Sequence, residues 1–286
     1  MSKNYLDLAG LTVYDGKIKE WIKSSTVDIT DDEIRILFPI PDNPYVTFTA
    51  EEDNSSIGLE KLSTNQTLEY STDTITWNAF DTTTNISLNN GDKVYVRGVL
   101  SADNSLSKHT QFKMSGKIAA SGNCNAIWNY QDLNAPLKAW CGFMMFYECT
   151  SLTAAPELPA TELAYKCYWR MFWNCTSLVT APELPATELA ESCYNSMFHG
   201  CTSLITAPKL PAITLTESCY SNMFNGCPKL NYIKCLATDI SAYSCTSNWV
   251  NNVYSKGTFI KHLDMNKWST GASGIPSGWT VIDAEL

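Results

Sequence analysis

The eleven cysteines are the residues whose type and spacing could carry chemistry. Nine of them form two series with a constant interval of 26 positions, namely Cys141, Cys167, Cys193, Cys219 and Cys245, and Cys149, Cys175, Cys201 and Cys227. The two series are offset so that they form no Cys-x-x-Cys pair, and no paired histidines are near them. We therefore predict no metal site, and we favour free, buried thiols over disulfides.

The sequence also contains few residues that could combine into a catalytic site. Only three histidines occur, His109, His199 and His262, and no nucleophile motif or phosphate-binding glycine loop accompanies them. His199 falls in a variable repeat column, where we predict a solvated side chain. We predict a non-enzymatic protein without a cofactor, and a carbohydrate-active enzyme remains only a remote third class.

Composition narrows the class of partner. The 286 residues carry a net charge of −9, with 44% hydrophobic and 17% charged residues, which is typical of a packed chain. No basic run is present to neutralise phosphates, so we predict no nucleic-acid and no membrane partner. The N-terminus has no secretory signal pattern, and we expect synthesis in a cytoplasm.

The text between the cysteines repeats as well. Residues 149–174, 175–200 and 201–226 are successive copies, and neighbouring copies agree at 18 of 26 positions. The stretch CTSLITAP predicts a brief strand, and Leu189, Cys193, Met197 and Phe198 follow a helical stripe. Each unit is therefore predicted to be a short strand plus a short helix, which stack with the cysteines in the interior.

Two other regions precede the repeats. Residues 27–120 predict a β-sandwich, with strands at 33–38, 45–50, 67–72, 85–88 and 92–99 and a hairpin turn at Asn90-Gly91. Residues 5–24 predict an amphipathic helix whose apolar stripe is Leu11, Tyr14, Ile18, Trp21 and Ile22. This helix either docks on the sandwich or anchors the chain to a larger assembly or to copies of itself, and the sequence leaves both open.

The repeated text CTSLxxAPxLPATxLxxxCYxxMFxxC resembles the BspA-like leucine-rich repeats, and the resemblance covers about half of the chain. It implies a right-handed solenoid used for binding, with a C-terminal β cap formed by a hairpin around Trp268, Ile275, Trp279 and Val281. The opening YLDLAGLTVYDGKIKEWI is similar to that of fibre and accessory proteins in tailed (crAss-like) gut phages.

These patterns together predict an α+β fold with four parts. They are an anchoring helix at 1–26, an all-β sandwich at 27–120, a leucine-rich-repeat solenoid at 121–252 and a cap at 253–286.

Variable repeat columns mark positions that have no duty in the core. Five aromatic residues occupy such positions at the start of the array, namely Phe143, Tyr147, Tyr165, Trp169 and Trp173. We predict that they form one patch, with Trp169 and Trp173 opposite Cys167 and Met171. The patch is either the joint with the sandwich or a platform for a glycan or protein. Trp128 and Trp140 are predicted to belong to a capping core.

The favoured function is a non-enzymatic virion fibre protein of a tailed gut phage. It would associate with other virion proteins and with itself through the N-terminal helix, and display a solenoid that attaches to a host-surface glycan or protein. The alternative is a bacterial cell-surface adhesin with the same repeats. The absence of a secretory signal favours the virion.

Overall fold

The computed structural model describes residues 44–285, which form one compact unit. The predicted helix at 1–26, its stripe of Leu11, Tyr14, Ile18, Trp21 and Ile22, and the predicted strand at 33–38 lie outside the described residues. In the described range, strand accounts for 28% and helix for 2%.

The strands in chain order are β1 (Val46–Ala50), β2 (Ser55–Lys61), β3 (Gln66–Ser71), β4 (Asn78–Ala79), β5 (Asn85–Leu88), β6 (Lys93–Leu100), β7 (Gln111–Ser115), β8 (Ile118–Ser121), β9 (Leu152–Ala154), β10 (Tyr232–Cys235), β11 (Thr258–Lys261) and β12 (Thr280–Asp283). One short helix, α1 (Asn125–Asn129), follows β8. The sheet orders are β4-β3-β6-β1-β8-β9, β5-β2-β7 and β10-β11-β12.

The first two sheets pack against each other through alternating side chains. Strand β6 shows this alternation, with every second residue buried. Phe48 of β1 and Phe112 of β7 meet with ring centroids 5.2 Å apart. The turn at Asn90-Gly91 forms, with Gly91 at φ +90° and Asp92 N donating to Asn89 O. The predicted hairpin is wrong, however, because β5 pairs with β2 and β6 with β1 and β3.

The repeats continue this β structure without a break. Strand β8 pairs in parallel with β9, which lies in the first full repeat copy. Parallel bridges then run from Ala154 to Thr180, from Thr180 to Thr206 and from Thr206 to Tyr232 in β10. The β-rich part and the repeats therefore share one hydrophobic core.

On the opposite side of each unit lies a run of tight turns, which we call the turn ladder (140–148, 166–174, 192–200, 218–226 and 244–252). Alternate N–H groups donate to the next unit, as Met144 N does to Trp169 O (3.1 Å) and Phe146 N to Met171 O (2.9 Å). The intervening N–H groups close β-turns within the unit, as Met145 N does to Gly142 O. Every fourth residue has a left-handed φ near +50° to +77°, including Arg170, Ser196 and Gly226.

The predicted α+β class is therefore wrong. An α-helix needs uninterrupted negative φ and i to i−4 bonds, whereas the turn ladder has a left-handed residue at every fourth position. Cys193, Met197 and Phe198 of the predicted stripe lie on these turns, and Leu189 precedes them. The described residues contain only small sheets and no closed solenoid, so the predicted right-handed leucine-rich-repeat solenoid is not seen either.

Stacking of the units places equivalent residues of successive units on top of one another. The rings of Phe146, Phe172, Phe198 and Phe224 form a column with centroids 5.4 to 5.7 Å apart. All eleven cysteines are buried, and none is bonded to another. Burial raises the pKa of the Cys219 and Cys227 thiols to about 12, so these thiols stay protonated at neutral pH.

The C-terminal residues close the last unit, but not as the predicted hairpin, because β11 and β12 run in parallel. Trp268 packs on Trp249 with centroids 5.4 Å apart and donates from Nε1 to Ala237 O. Trp279 Nε1 donates to Tyr254 O at 2.7 Å. Val281, predicted as part of the cap core, is instead exposed.

The left-handed positions allow a test of the turn ladder. Ser218 has φ +52°, so Ser218→Gly should stabilise the protein by about 0.5–1 kcal/mol, because glycine removes a steric penalty that exceeds its entropic cost. In a helix the same change would destabilise. Urea unfolding measures the difference, with Glu217→Gly as the neighbouring control that should lose stability. A loss at both positions would contradict the turn ladder.

The two cysteine series should respond differently to serine. Cys193 is fully buried, and Cys193→Ser should cost about 1–3 kcal/mol because it places a hydroxyl among apolar groups. Cys201 Sγ lies 3.1 Å from Phe172 O, which a serine hydroxyl can use as an acceptor. Cys201→Ser should therefore cost less in the same denaturant titration. Equal losses would show that the carbonyl contact does not matter.

Candidate functional site

The turn ladder sends two residues of every four outward. In the 140–148 turn, Met145 and Phe146 point into the core, whereas Met144 and Tyr147 are only half-buried. Because units stack in register, the outward residues of successive copies become neighbours. At the start of the array these positions hold rings and cations, which we call the aromatic strip: Trp140, Phe143, Tyr147, Tyr165, Lys166, Trp169, Arg170, Trp173 and His199.

One half of the aromatic strip is a cluster around Trp169. Its ring lies 5.3 Å from that of Trp140 and 5.2 Å from that of Phe143, and Tyr165 lies 6.0 Å from Trp140. Phe143 is buried, at 1% exposure, and also packs edge-on against His109. Tyr165 is 40% exposed. The cluster therefore extends from the β-rich part to the solvent.

The other half is a stack along the units. Tyr147 and Trp173 stack with centroids 6.2 Å apart, and Trp173 and His199 stack at 3.8 Å. His199 therefore covers one face of the Trp173 indole closely, and the Tyr147 ring lies in the preceding unit at an interplanar angle of 24° to the indole.

Two cations lie over these rings, and one of them, Arg170, joins the two halves. Lys166 Nζ lies 4.8 to 4.9 Å from the ring centroids of Trp140, Tyr165 and Trp169. The Arg170 guanidinium lies 5.1 Å from the Trp169 centroid and 4.9 Å from that of Trp173, which is cation–π geometry. Within residues 44–285, no carboxylate forms an ion pair with either cation.

Several polar atoms of the aromatic strip are buried and lack a partner in the described part of the chain. They are Trp169 Nε1, Arg170 Nε and His199 Nδ1. The first two are donors only, so each needs an acceptor oxygen to offset its desolvation. Their desolvation is therefore not offset by any group in the described residues.

Burial and the positive charge of Arg170 shift the pKa values of two side chains in the strip, His199 and Tyr147. Burial lowers the pKa of His199 below its usual 6.5, and the positive charge of Arg170 acts in the same direction. Burial raises the pKa of Tyr147, Glu148 raises it further and Arg170 opposes the shift. His199 is therefore neutral at pH 7, and the charge of the strip comes from Lys166 and Arg170, with Glu148 exposed at its rim.

The five predicted patch residues do come together, but they divide between the two interpretations. Phe143 belongs to the joint with the β-rich part, where Gln111 Nε2 also donates to Tyr147 O at 3.2 Å. Tyr165, Trp169 and Trp173 extend beyond that joint towards solvent. Trp128 is buried as predicted, at 5% exposure.

Four members of the strip were missed or misassigned from sequence. Trp140 was placed in a capping core, His199 was interpreted as solvated, and Lys166 and Arg170 were not singled out. Trp140 and Lys166 occupy the same repeat column in neighbouring units, and Arg170 directly follows Trp169. The column comparison that pointed to Trp169 could have found them.

Outside the aromatic strip, the described residues include cavities next to one loop segment. Two cavities of about 260 and 290 Å³ adjoin segment 131–137, and neither is lined by a histidine or a cysteine. In residues 44–285 no group of three histidine, cysteine or acidic side chains could hold a metal ion. No helix in that range is long and apolar enough to cross a bilayer. Comparison with known protein families, curated proteins and solved structures finds no match for this chain.

The pKa of His199 predicts acid sensitivity. The unfolded chain takes up the proton more readily than the native state, so stability should be full above about pH 6.5 and fall as the pH drops below it. His199→Asn, which copies Asn225 of the next unit, should remove part of the loss between pH 7.5 and pH 5 in urea titrations. His109, whose pKa burial also lowers, should account for a further part. An unchanged pH dependence in the variant would contradict the assignment.

Proposed function

We propose that this chain is a non-enzymatic binding protein that presents the aromatic strip to a ligand on a cell surface, a glycan or a protein. The observation that carries the proposal is the gathering of six partly exposed rings and two cations on one face of an otherwise acidic protein. Aromatic residues and arginine are the side chains enriched at binding hot spots.

The biological setting of the proposal rests on sequence resemblance. The repeat text resembles BspA-like repeats, and the N-terminal text resembles tailed-phage fibre proteins. A virion fibre protein that attaches to a host surface is therefore the favoured setting, with other virion proteins and further copies of the chain as partners. A bacterial surface adhesin is the alternative.

Three features favour a binding role for the strip residues over a purely structural one. Apart from the buried Phe143, the strip residues are half-buried or exposed, so the core does not require them. The same columns hold small polar residues in later copies, such as Ser221 and Asn225, and the units still stack there. Buried donors of Trp169 and Arg170 lack internal partners in the described range. A purely structural joint would end at Phe143, whereas the strip continues to His199.

The proposal predicts that Trp169→Ala combined with Trp173→Ala weakens ligand binding at least about thirtyfold, the effect of one strong hot spot. Binding is measured as retention of the full chain on host cells or on immobilised surface polysaccharides. Tyr243→Ala is the control, because Tyr243 is an exposed aromatic residue (76%) away from the strip.

The rings are half-buried, so the double variant should also lose some stability. Its melting temperature and circular dichroism must show that it remains folded at the assay temperature. A folded double variant that binds like the unchanged protein would refute the strip as the binding surface. In that case these tryptophans serve only the joint.

A further inference from the structure

The outward chemistry of the aromatic strip is cationic. His199 stacks on the Trp173 indole at 3.8 Å, which closes that face to a sugar ring. Lys166 and Arg170 lie over the ring of Trp169. A ligand that approaches the strip therefore meets an ammonium and a guanidinium beside the rings.

These two cations are half-buried in an acidic protein and have no carboxylate partner within residues 44–285. Arg97, the other arginine of that range, also lies over aromatic rings, but its Nε donates to Glu69 Oε2 at 2.8 Å. Arg170 Nε is instead buried without an acceptor, and so is the neighbouring Trp169 Nε1. Two cations without a carboxylate partner, next to the unpartnered indole N–H of Trp169, are complementary to an anion.

The arrangement also favours a linear polymer over a folded partner. Successive units are 5.4 Å apart at the Phe146 and Phe172 rings and 6.2 Å apart at the Tyr147 and Trp173 rings, steps comparable to the length of one sugar residue in an extended chain. Beyond the rings, the same columns hold the half-buried polar side chains of Asn195 and Asn225.

We propose that the ligand of the aromatic strip is a linear acidic polysaccharide, whose carboxylates bind Lys166 and Arg170 and whose chain runs along the units towards Asn195 and Asn225. This inference rests on the proposed function and adds the chemical class of its ligand. The exposed Glu148 lies at the opposite end, beside Tyr147, and its negative charge directs the acidic groups away from the β-rich part.

The test uses polysaccharides in matched pairs. The probes are polygalacturonate, alginate and hyaluronate, each compared with its carboxyl-esterified twin, together with polyglutamate as an acidic peptide. The full chain should bind at least one acid about tenfold or more tightly than its ester, the effect of one charge-assisted hydrogen bond. This preference should shrink as salt is raised.

Variants of equal charge locate the effect. Lys166→Gln with Arg170→Gln should abolish the preference for the acid over its ester. Lys209→Gln with Lys229→Gln changes the net charge by the same amount at exposed lysines and should leave the preference intact. Melting temperatures verify that both double variants are folded.

Each outcome decides one of the two proposals. Esters that bind as well as acids, or acids that all fail to bind, would overturn the polysaccharide inference, as would polyglutamate binding tighter than every polysaccharide. If Trp169→Ala with Trp173→Ala still abolishes binding to host cells in those cases, the strip remains the binding surface and only its ligand class is wrong. If that double variant binds cells normally, the proposed function itself fails.

Discussion

The structure depends on one constraint, the register of backbone hydrogen bonds between units. An N–H group of one turn donates to a carbonyl of the matching turn in the next unit, as Arg170 N does to Asn195 O at 2.9 Å. This bond fixes every residue above its counterpart in the next copy. The columns of phenylalanine, tyrosine and cysteine follow directly, because identical side chains are forced onto one another. A change in repeat length would break all of these columns together, which explains why the length of the repeat is kept more strictly than its outward residues.

The same register creates the aromatic strip. A turn that repeats every four residues buries two side chains and exposes two, so each unit contributes outward positions at fixed places. Residues in these positions contact their counterparts across units, and an outward tryptophan therefore becomes half-buried as soon as its neighbours are also aromatic. Trp173 illustrates this, because its ring stacks with those of Tyr147 and His199 from the units on either side. Stacking in register thus converts a row of aromatic residues into a rigid support for the cations between them.

Sequence reasoning succeeded where a pattern has one physical explanation. The constant repeat period, the buried cysteine columns and the strands near 85–88 and 92–99 all come from spacing alone. It failed for the predicted helix, because a turn that repeats every four residues places Cys193, Met197 and Cys201 at the same intervals as one face of an α-helix. The left-handed positions carried the missing signal, since Asn174, Gly200, Asn222 and Gly226 are residues that favour positive φ. The sequence did not predict which strands pair with each other, because the turn at Asn90-Gly91 does not reveal that β5 and β6 belong to different sheets.

The position of the strip within the array also has a physical reason. Its first buried ring, Phe143, packs against His109 of the β-rich part, so the aromatic residues begin where the stack is covered and held on one side. Further along, Asn195 and Asn225 take the same columns, and the surface becomes polar. An extended ligand therefore meets a graded surface, from rigid rings with fixed cations to small hydrogen-bonding groups. The rigid end loses little conformational entropy on binding, because its side chains already hold one another in place, and that makes it the natural site for the specific contacts.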